Sequence, residues 1–503
     1  MRSIFFLLLA GLALIALKAC SPKMGDEALV KETCSSCHRF VAPALLPRSI
    51  WEKRVLPEMG ARLGMLTFGY DPARQLPPGE YELALAHGFY PQAPTLDPEA
   101  WERVRQYILT RAPDTLPLPR PLHLDSLSGF VARPLTLDDQ DGSLITYIGQ
   151  DASGLIVGDG YGQLTRVSPA GAVDTLVNLQ LPLVHFTSTG EDSLLLEIGN
   201  IYPTEASNGK LYRLTSAGPA VLYDSLHRPV YHMAADLDGD GAREIVICEY
   251  GNFSGALSLL DPDGSGGFTY RRLLGAAGCT RVVAADLNRD GLADLVVLHA
   301  QGDEGIDALY QQPDGSFLRE PLLQFPAVWG TSWFELVDFD GDGDQDLITV
   351  HGDNADYSNV IKPYHGLRIY TNDGNDDFSE TYFQPLPGAT RVVARDFDRD
   401  GDFDLAVASN FADFDRQPQA AFVYLEQLTP GPGLSFHAST VPQALDGRWL
   451  ILEAADYDQD GDDDIALGSF TLNPAPVPNT LARRWRESRT DVLLLENLLP
   501  EAR

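Results

Sequence analysis

Over the last three quarters of this chain, hydrophobic residues fall into short runs bounded by turn residues. Runs such as 245–248, 295–298, 347–350 and 405–408 are rich in Val, Ile and Leu. Apolar stretches of this length with no polar alternation read as strands buried on both faces. Before each comes an acidic stretch of one recurring form: Asp236, Asp238, Asp240 and Glu244; Asp286, Asn288, Asp290 and Asp294; Asp338, Asp340, Asp342 and Asp346; Asp396, Asp398, Asp400 and Asp404; Asp456, Asp458, Asp460 and Asp464. Successive first acids stand 50, 52, 58 and 60 residues apart. That period suits one four-stranded propeller blade. Asp-Gly pairs at 263–264, 314–315 and 373–374 mark the hairpin between third and fourth strands. Two upstream stretches, 152–167 and 186–214, keep the apolar pattern without the acids. Two weak and five clear units predict seven blades, with 491–498 pairing with 129–135 to close the ring.

The N-terminal part has a different period. Residues 49–65 and 97–109 place apolar side chains at helical spacing; Asp97 can cap the second helix, Pro98 suits its first turn, and Trp101, Val104 and Ile108 share one face. Residues 110–119 are Pro-rich and read as a semi-rigid spacer. The expected fold is therefore multidomain: a small all-α domain at 26–113, a linker at 114–125 and an all-β propeller at 126–503. The apolar opening at 4–17 is too short to span a bilayer and reads as part of a signal peptide, 1–19. Ala19-Cys20 resembles a bacterial lipoprotein cleavage site, which implies a lipid on Cys20 and a tether at 20–25. The expectation is an exported, periplasmic or outer-surface protein held to the membrane by that lipid.

Cys34-Ser35-Ser36-Cys37-His38 carries the first chemistry. Two thiols three positions apart, followed at once by His, form the attachment pattern for one c-type haem. Cys34 and Cys37 would bond its vinyl groups, and His38 would take one axial position. A zinc site needs further ligands at suitable spacing, and the chain has no second CxxC or HxxxH. Met commonly completes such an iron; Met59 is the preferred second ligand, ahead of Met65 and His87. Residues 26–113 thus read as a cytochrome c haem domain, and 97–109 resembles the C-terminal helix of small cytochromes c. The remaining cysteines, Cys248 and Cys279, suit either a disulfide or two small buried side chains.

The acidic stretches carry the second. Acids at positions 1, 3 and 5 of a tight loop point inward, Gly at 6 allows the turn, and the acid at 9 completes an oxygen cage for calcium. The flanking strands exclude an EF-hand. These repeats resemble the FG-GAP/VCBS family, whose blades carry such loops between two strands, as in the integrin α head. The resemblance implies a propeller with up to five calcium ions.

Lys plus Arg number 37 and Asp plus Glu 71, a net charge of −34. Such a surface lacks the basic footprint that nucleic acid requires. Loops after the second strands are long, notably 351–366, and project opposite the acidic loops. That face, with the residues leading into each first strand, assembles candidate ligand-binding side chains: His185, His232, Arg281, His351, Asp353, Lys362, His365, Arg391 and Arg448. No triad, phosphate loop or dinucleotide fingerprint is present. The functional expectation is electron carriage through haem, the propeller binding a redox partner protein or a small-molecule substrate. Two other readings stand beside it: an oxidoreductase passing electrons from the propeller face to haem, and an adhesion or glycan-binding propeller with accessory haem.

Overall fold

The structure, a computed structural model, describes residues 25–65, 69–77, 79–189, 192–353, 358–429, 431, 433–472 and 475–498. Seven sheets stand around one axis. The first strand of each lies innermost, and neighbouring first strands touch all the way round, Trp449–Ala455 meeting Ile145–Asp151 to complete the circle. Blades 1 to 7 begin at Ile145–Asp151, Leu183–Thr189, Pro229–Ala235, Cys279–Ala285, Thr331–Val337, Arg391–Arg395 and Trp449–Ala455. The weak upstream stretches are blades 1 and 2, and the acidic loops join the first two strands of blades 3 to 7.

Second strands such as Asp294–His299 and Asp346–His351 are buried along their whole length. They lie between two strands of their own sheet and against the sheets on either side, so alternation has no use there. The ring closes by an exchange of termini: Phe130–Leu135 is the outer strand of blade 7, with Phe130 opposite Asn497 and Leu135 opposite Val492. The N-terminal strand thereby fastens the last blade to the start of the propeller.

The expectation of a small all-α cytochrome c domain standing apart from the propeller is overturned. The described molecule is a seven-bladed propeller with few helices. The helices of residues 26–111 are mostly short, and the cluster they bury includes Ala327 and Val328 of the propeller. Tyr364 Oη donates to Leu45 O at 2.8 Å, the Glu205 N–H donates to Glu80 Oε1 at 2.9 Å, and Phe89 meets Phe253 with centroids 4.7 Å apart. The physical reason is size. A few short helices bury too little apolar surface to stand alone, and the propeller supplies the missing wall. The Pro-rich stretch is likewise strapped down: Leu122 exchanges two hydrogen bonds with the Gln417 side chain, and Asp125–Ser126 adds a short parallel strand to blade 6.

Among the described residues no helix is long and apolar enough to cross a membrane. The leader 1–19 and Cys20 lie outside the described residues.

Candidate functional site

The acidic loops are pre-curled by their own backbone. The first Asp accepts N–H groups from further round the turn: Asp286 takes those of Asp290 and Gly291, both at 3.0 Å, and Asp456 those of Asp460 and Gly461 at 3.0 and 3.1 Å. The sixth residue is Gly in all five loops with φ between 90° and 100°, a conformation in which a Cβ would be strained. The third and fifth side chains curl the turn as well: Asp238 Oδ1 accepts the Asp240 N–H at 3.0 Å and Asp240 Oδ1 the Ala242 N–H at 2.7 Å. Carboxylate oxygens come within 4.8 Å of one another in four groups: Asp236, Asp238 and Glu244; Asp338, Asp340 and Asp346; Asp396, Asp398 and Asp400; Asp456, Asp458 and Asp460. Asn288 stands at the third position of the remaining loop. Oxygen donors at this spacing fit a calcium ion. Without a cation, burial and the neighbouring carboxylates push Asp462 up to about 6 and raise Asp458.

The ninth position does something the sequence pattern does not reveal. Asp294 is fully buried: its Oδ2 accepts the Leu287 N–H at 3.0 Å and its Oδ1 the Gln311 N–H at 2.8 Å. Asp346 takes the N–H groups of Phe339 and Asn372, and Asp464 those of Tyr457 and Asn497. In each case one carboxylate ties the loop's second residue to the end of the third strand. In blades 4 and 7 the residue at that strand end also reaches the preceding blade: Gln311 Nε2 donates to Leu237 O at 2.6 Å, and Asn497 Nδ2 to Phe397 O at 2.9 Å. In blades 4, 5 and 7 the ninth acid is a clasp within its blade, and in blades 4 and 7 the residue it holds links blades.

A cavity of about 360 Å³ lies on the propeller axis. Its wall is built from first strands and its mouth from the segments after second strands, so it opens opposite the acidic loops. The wall has a local cause. In six blades the first strand carries a register shift two residues from its start, immediately before Tyr147, His185, Tyr231, Arg281, Trp333 and Ile451. A bulge re-aims the side chain that follows it. His185 meets Tyr147 edge-on at 5.3 Å and Tyr231 at a tilt at 4.3 Å, and Tyr231 meets Trp333 at 6.3 Å. The guanidinium carbons of Arg281 and Arg391 lie 3.9 and 3.5 Å from the Trp333 ring centroid. Each arginine also has an acid: Arg281 Glu335 at 3.2 Å, and Arg391 Glu453 at 3.7 Å. Burial lowers Arg391 to about 10 and raises Glu453. His185 Nδ1 stands 3.1 Å from His232 Nδ1, so one donates and the other accepts, and both rings are neutral. Burial holds His185 well below the usual imidazole range and His232 down to about 3.

Of the candidate face residues, His185, Asp353 and Arg391 line the cavity. Arg281 backs its wall beside Trp333. The other five turn into the fold. His232 lies behind His185 and bonds Thr187. His351 is held between Thr331 and Thr349 at 2.9 and 2.8 Å. Arg448 is buried against Asn410 O and Ala475 O. Lys362 and His365 are buried beneath the helical segment, where Tyr364 reaches Leu45. The sequence reading missed Tyr147, Tyr231 and Glu453. The signal was present as one chemically rich residue near the start of each first strand, but His232 and Arg448 fall out of step with the bulges.

Cys34 ends the helix Asp26–Cys34 and is buried, Cys37 is exposed, and His38 is half-buried with Nδ1 2.9 Å from Arg39 O. Burial and the neighbouring Cys37 raise the Cys34 thiol to about 11. Cys34 and Met65 belong to one apolar cluster with Trp51, Trp101 and Val104, and Met59 packs against it. His87 is exposed and outside that cluster. The first thiol of the pattern and both methionines thus meet in one apolar cluster, while Cys37 and His38 lie outside it. The segment reaches the propeller at blades 4 and 5 through the Arg39 bond to Gln324 O and through Val328, and at blade 3 through Phe89 and Phe253. Cys248 and Cys279 are free thiols, both buried in one core cluster, so the small-side-chain alternative describes them.

Residues 236–297 and 290–349 match the FG-GAP-like repeat. No curated protein matches the chain. Among solved structures, BBS1N in its complex with ARL6DN is 11% identical over 74% of this chain and 97% of its own, with a TM-score of 0.44. A gluconolactonase from Xanthomonas campestris is 16% identical over 55% of this chain and 86% of its own, with a TM-score of 0.35. The chain is a seven-bladed propeller containing FG-GAP-like repeats.

Proposed function

We propose that this protein is an exported, lipid-tethered electron carrier. One haem is bound through Cys34, Cys37 and His38 and seated on a calcium-stabilised propeller whose axial cavity takes a small molecule. The observation that carries the reading is one of placement: the CxxCH segment docks on the loops of blades 3 to 5, on the face where the cavity opens. When bound, haem supplies one-electron chemistry at a potential set by its axial ligands. The chain's own residues do the rest. Trp51, Trp101, Val104 and Met65 exclude water around the first thiol. Met59 is the preferred second ligand, with Met65 the alternative. The acids at positions 1, 3, 5 and 9 of the loops, with Asn288 at the third position of one, would hold calcium, which fixes the blades on which the segment rests. A concave axial cavity favours a small molecule over a redox partner protein. The net charge of −34 argues against nucleic acid. Lipid on Cys20 would keep the carrier at the membrane.

The test is the visible spectrum of the full chain expressed with c-type haem maturation. Covalent haem with low-spin bands is the expected result, lost in Cys37→Ser. A chain that takes no covalent haem under those conditions overturns the carrier.

A further inference from the structure

We propose that the axial cavity binds an uncharged ring sugar; this rests on the cavity being the ligand site, but not on haem. Charge comes first. The charged residues lining it are Arg228, Arg391, Asp353 and Glu453, two of each sign. Arg391 is matched by Glu453, and the nearby Arg281 by Glu335. The histidine of the wall is held neutral by burial. A wall whose charges cancel offers no surplus to an anion or a cation, and desolvating either would be costly.

What the mouth offers instead is flat. The segments after the second strands bring three aromatic rings to it, Tyr250, Phe411 and Phe470, together with the planar side chains of Asn252, Gln301 and Asn410. These groups are positioned: Phe470 N–H donates to Arg448 O at 2.7 Å, Asn252 N–H to Glu205, and Gln301 Nε2 to Tyr250 Oη at 2.9 Å. An aromatic face covers the C–H face of a pyranose, while amides pair with adjacent hydroxyls as both donor and acceptor. A purely apolar ligand would use none of this hydrogen-bonding capacity. About 360 Å³ is at the small end of ligand sites, with room for a monosaccharide or a short disaccharide.

The test is titration calorimetry on the full chain, using neutral hexoses, neutral disaccharides, the matching uronic acids and a small apolar aromatic. The expected result is one-to-one binding of at least one neutral sugar, with the matching uronic acid weaker by about tenfold or more and Phe411→Ala weakening the sugar by about tenfold. Gln301→Leu, which removes the amide and its bond to Tyr250 Oη, should weaken the sugar and spare the apolar probe. Tighter binding of a uronic acid or of the apolar aromatic, sensitive to Phe411→Ala, overturns the sugar and leaves the cavity as the ligand site. No binding by any probe up to about 50 mM overturns both. The same titration on Cys37→Ser separates either outcome from a failure of haem attachment, because cavity binding should survive that change.

Discussion

Replacing Asp294 with Ala tests whether the ninth acid of a loop is a clasp. The side chain is fully buried and holds two backbone N–H groups, Leu287 at 3.0 Å and Gln311 at 2.8 Å. Alanine leaves both donors without a partner. Each buried unsatisfied donor costs about 1–3 kcal/mol, so the gross loss is about 2–6 kcal/mol. Part is offset, because burial raises the Asp294 carboxyl and so already penalises its charged form. The net expectation is a loss of about 2–4 kcal/mol. Gln311 would also lose the position from which it reaches Leu237 O in the preceding blade. Asp294→Asn keeps one oxygen and should lose about half as much. The assay is urea unfolding of the full chain followed by tryptophan fluorescence, with calcium and with a chelator. A clasp predicts the loss in both buffers. A loss that disappears in chelator would show that Asp294 acts only through a metal ion, and a loss below about 1 kcal/mol in both would refute the reasoning.

Chelating calcium should lower the melting temperature, since an ion at 100 times its dissociation constant stabilises by about 2.7 kcal/mol per site; an unchanged melting curve would mean that the loops hold no ion. Gly401 has a φ of 99°, so Gly401→Ala should cost about 1–2 kcal/mol through backbone strain alone, and an unchanged urea midpoint would refute this. His232 is held down to about 3 by burial, so the unfolded chain binds the proton first and stability falls as the pH drops below 6.5; His232→Gln should spare about 2 kcal/mol of the loss between pH 7 and pH 5, read from urea midpoints. Phe89→Ala removes the ring contact with Phe253 and should speed proteolysis within 114–125; an unchanged cleavage rate would show that the contact does not hold the segment.

What could be read from the sequence was whatever is local. The acidic ladder, the Gly at its sixth position and the interval between ladders are determined within one loop or one blade, and they were enough to specify a seven-bladed propeller closed by 129–135. The CxxCH pattern is equally local. The helical stretches were legible as helices, yet their separateness was not, because a helix pattern shows that one face must be buried and not against what. Ala327, Val328 and Tyr364 supply the answer from a segment more than 200 residues away. The cavity likewise required the tertiary structure. A bulge near the start of the first strand, present in six blades, decides in blade 3 whether Tyr231 or His232 turns to the axis, and a one-residue slip sends a side chain to the opposite face. The ninth acid read as a ligand because its chemistry suits one. Only the approach of the third strand, bringing the Gln311 and Asn497 N–H groups to Asp294 and Asp464, gave it a structural partner.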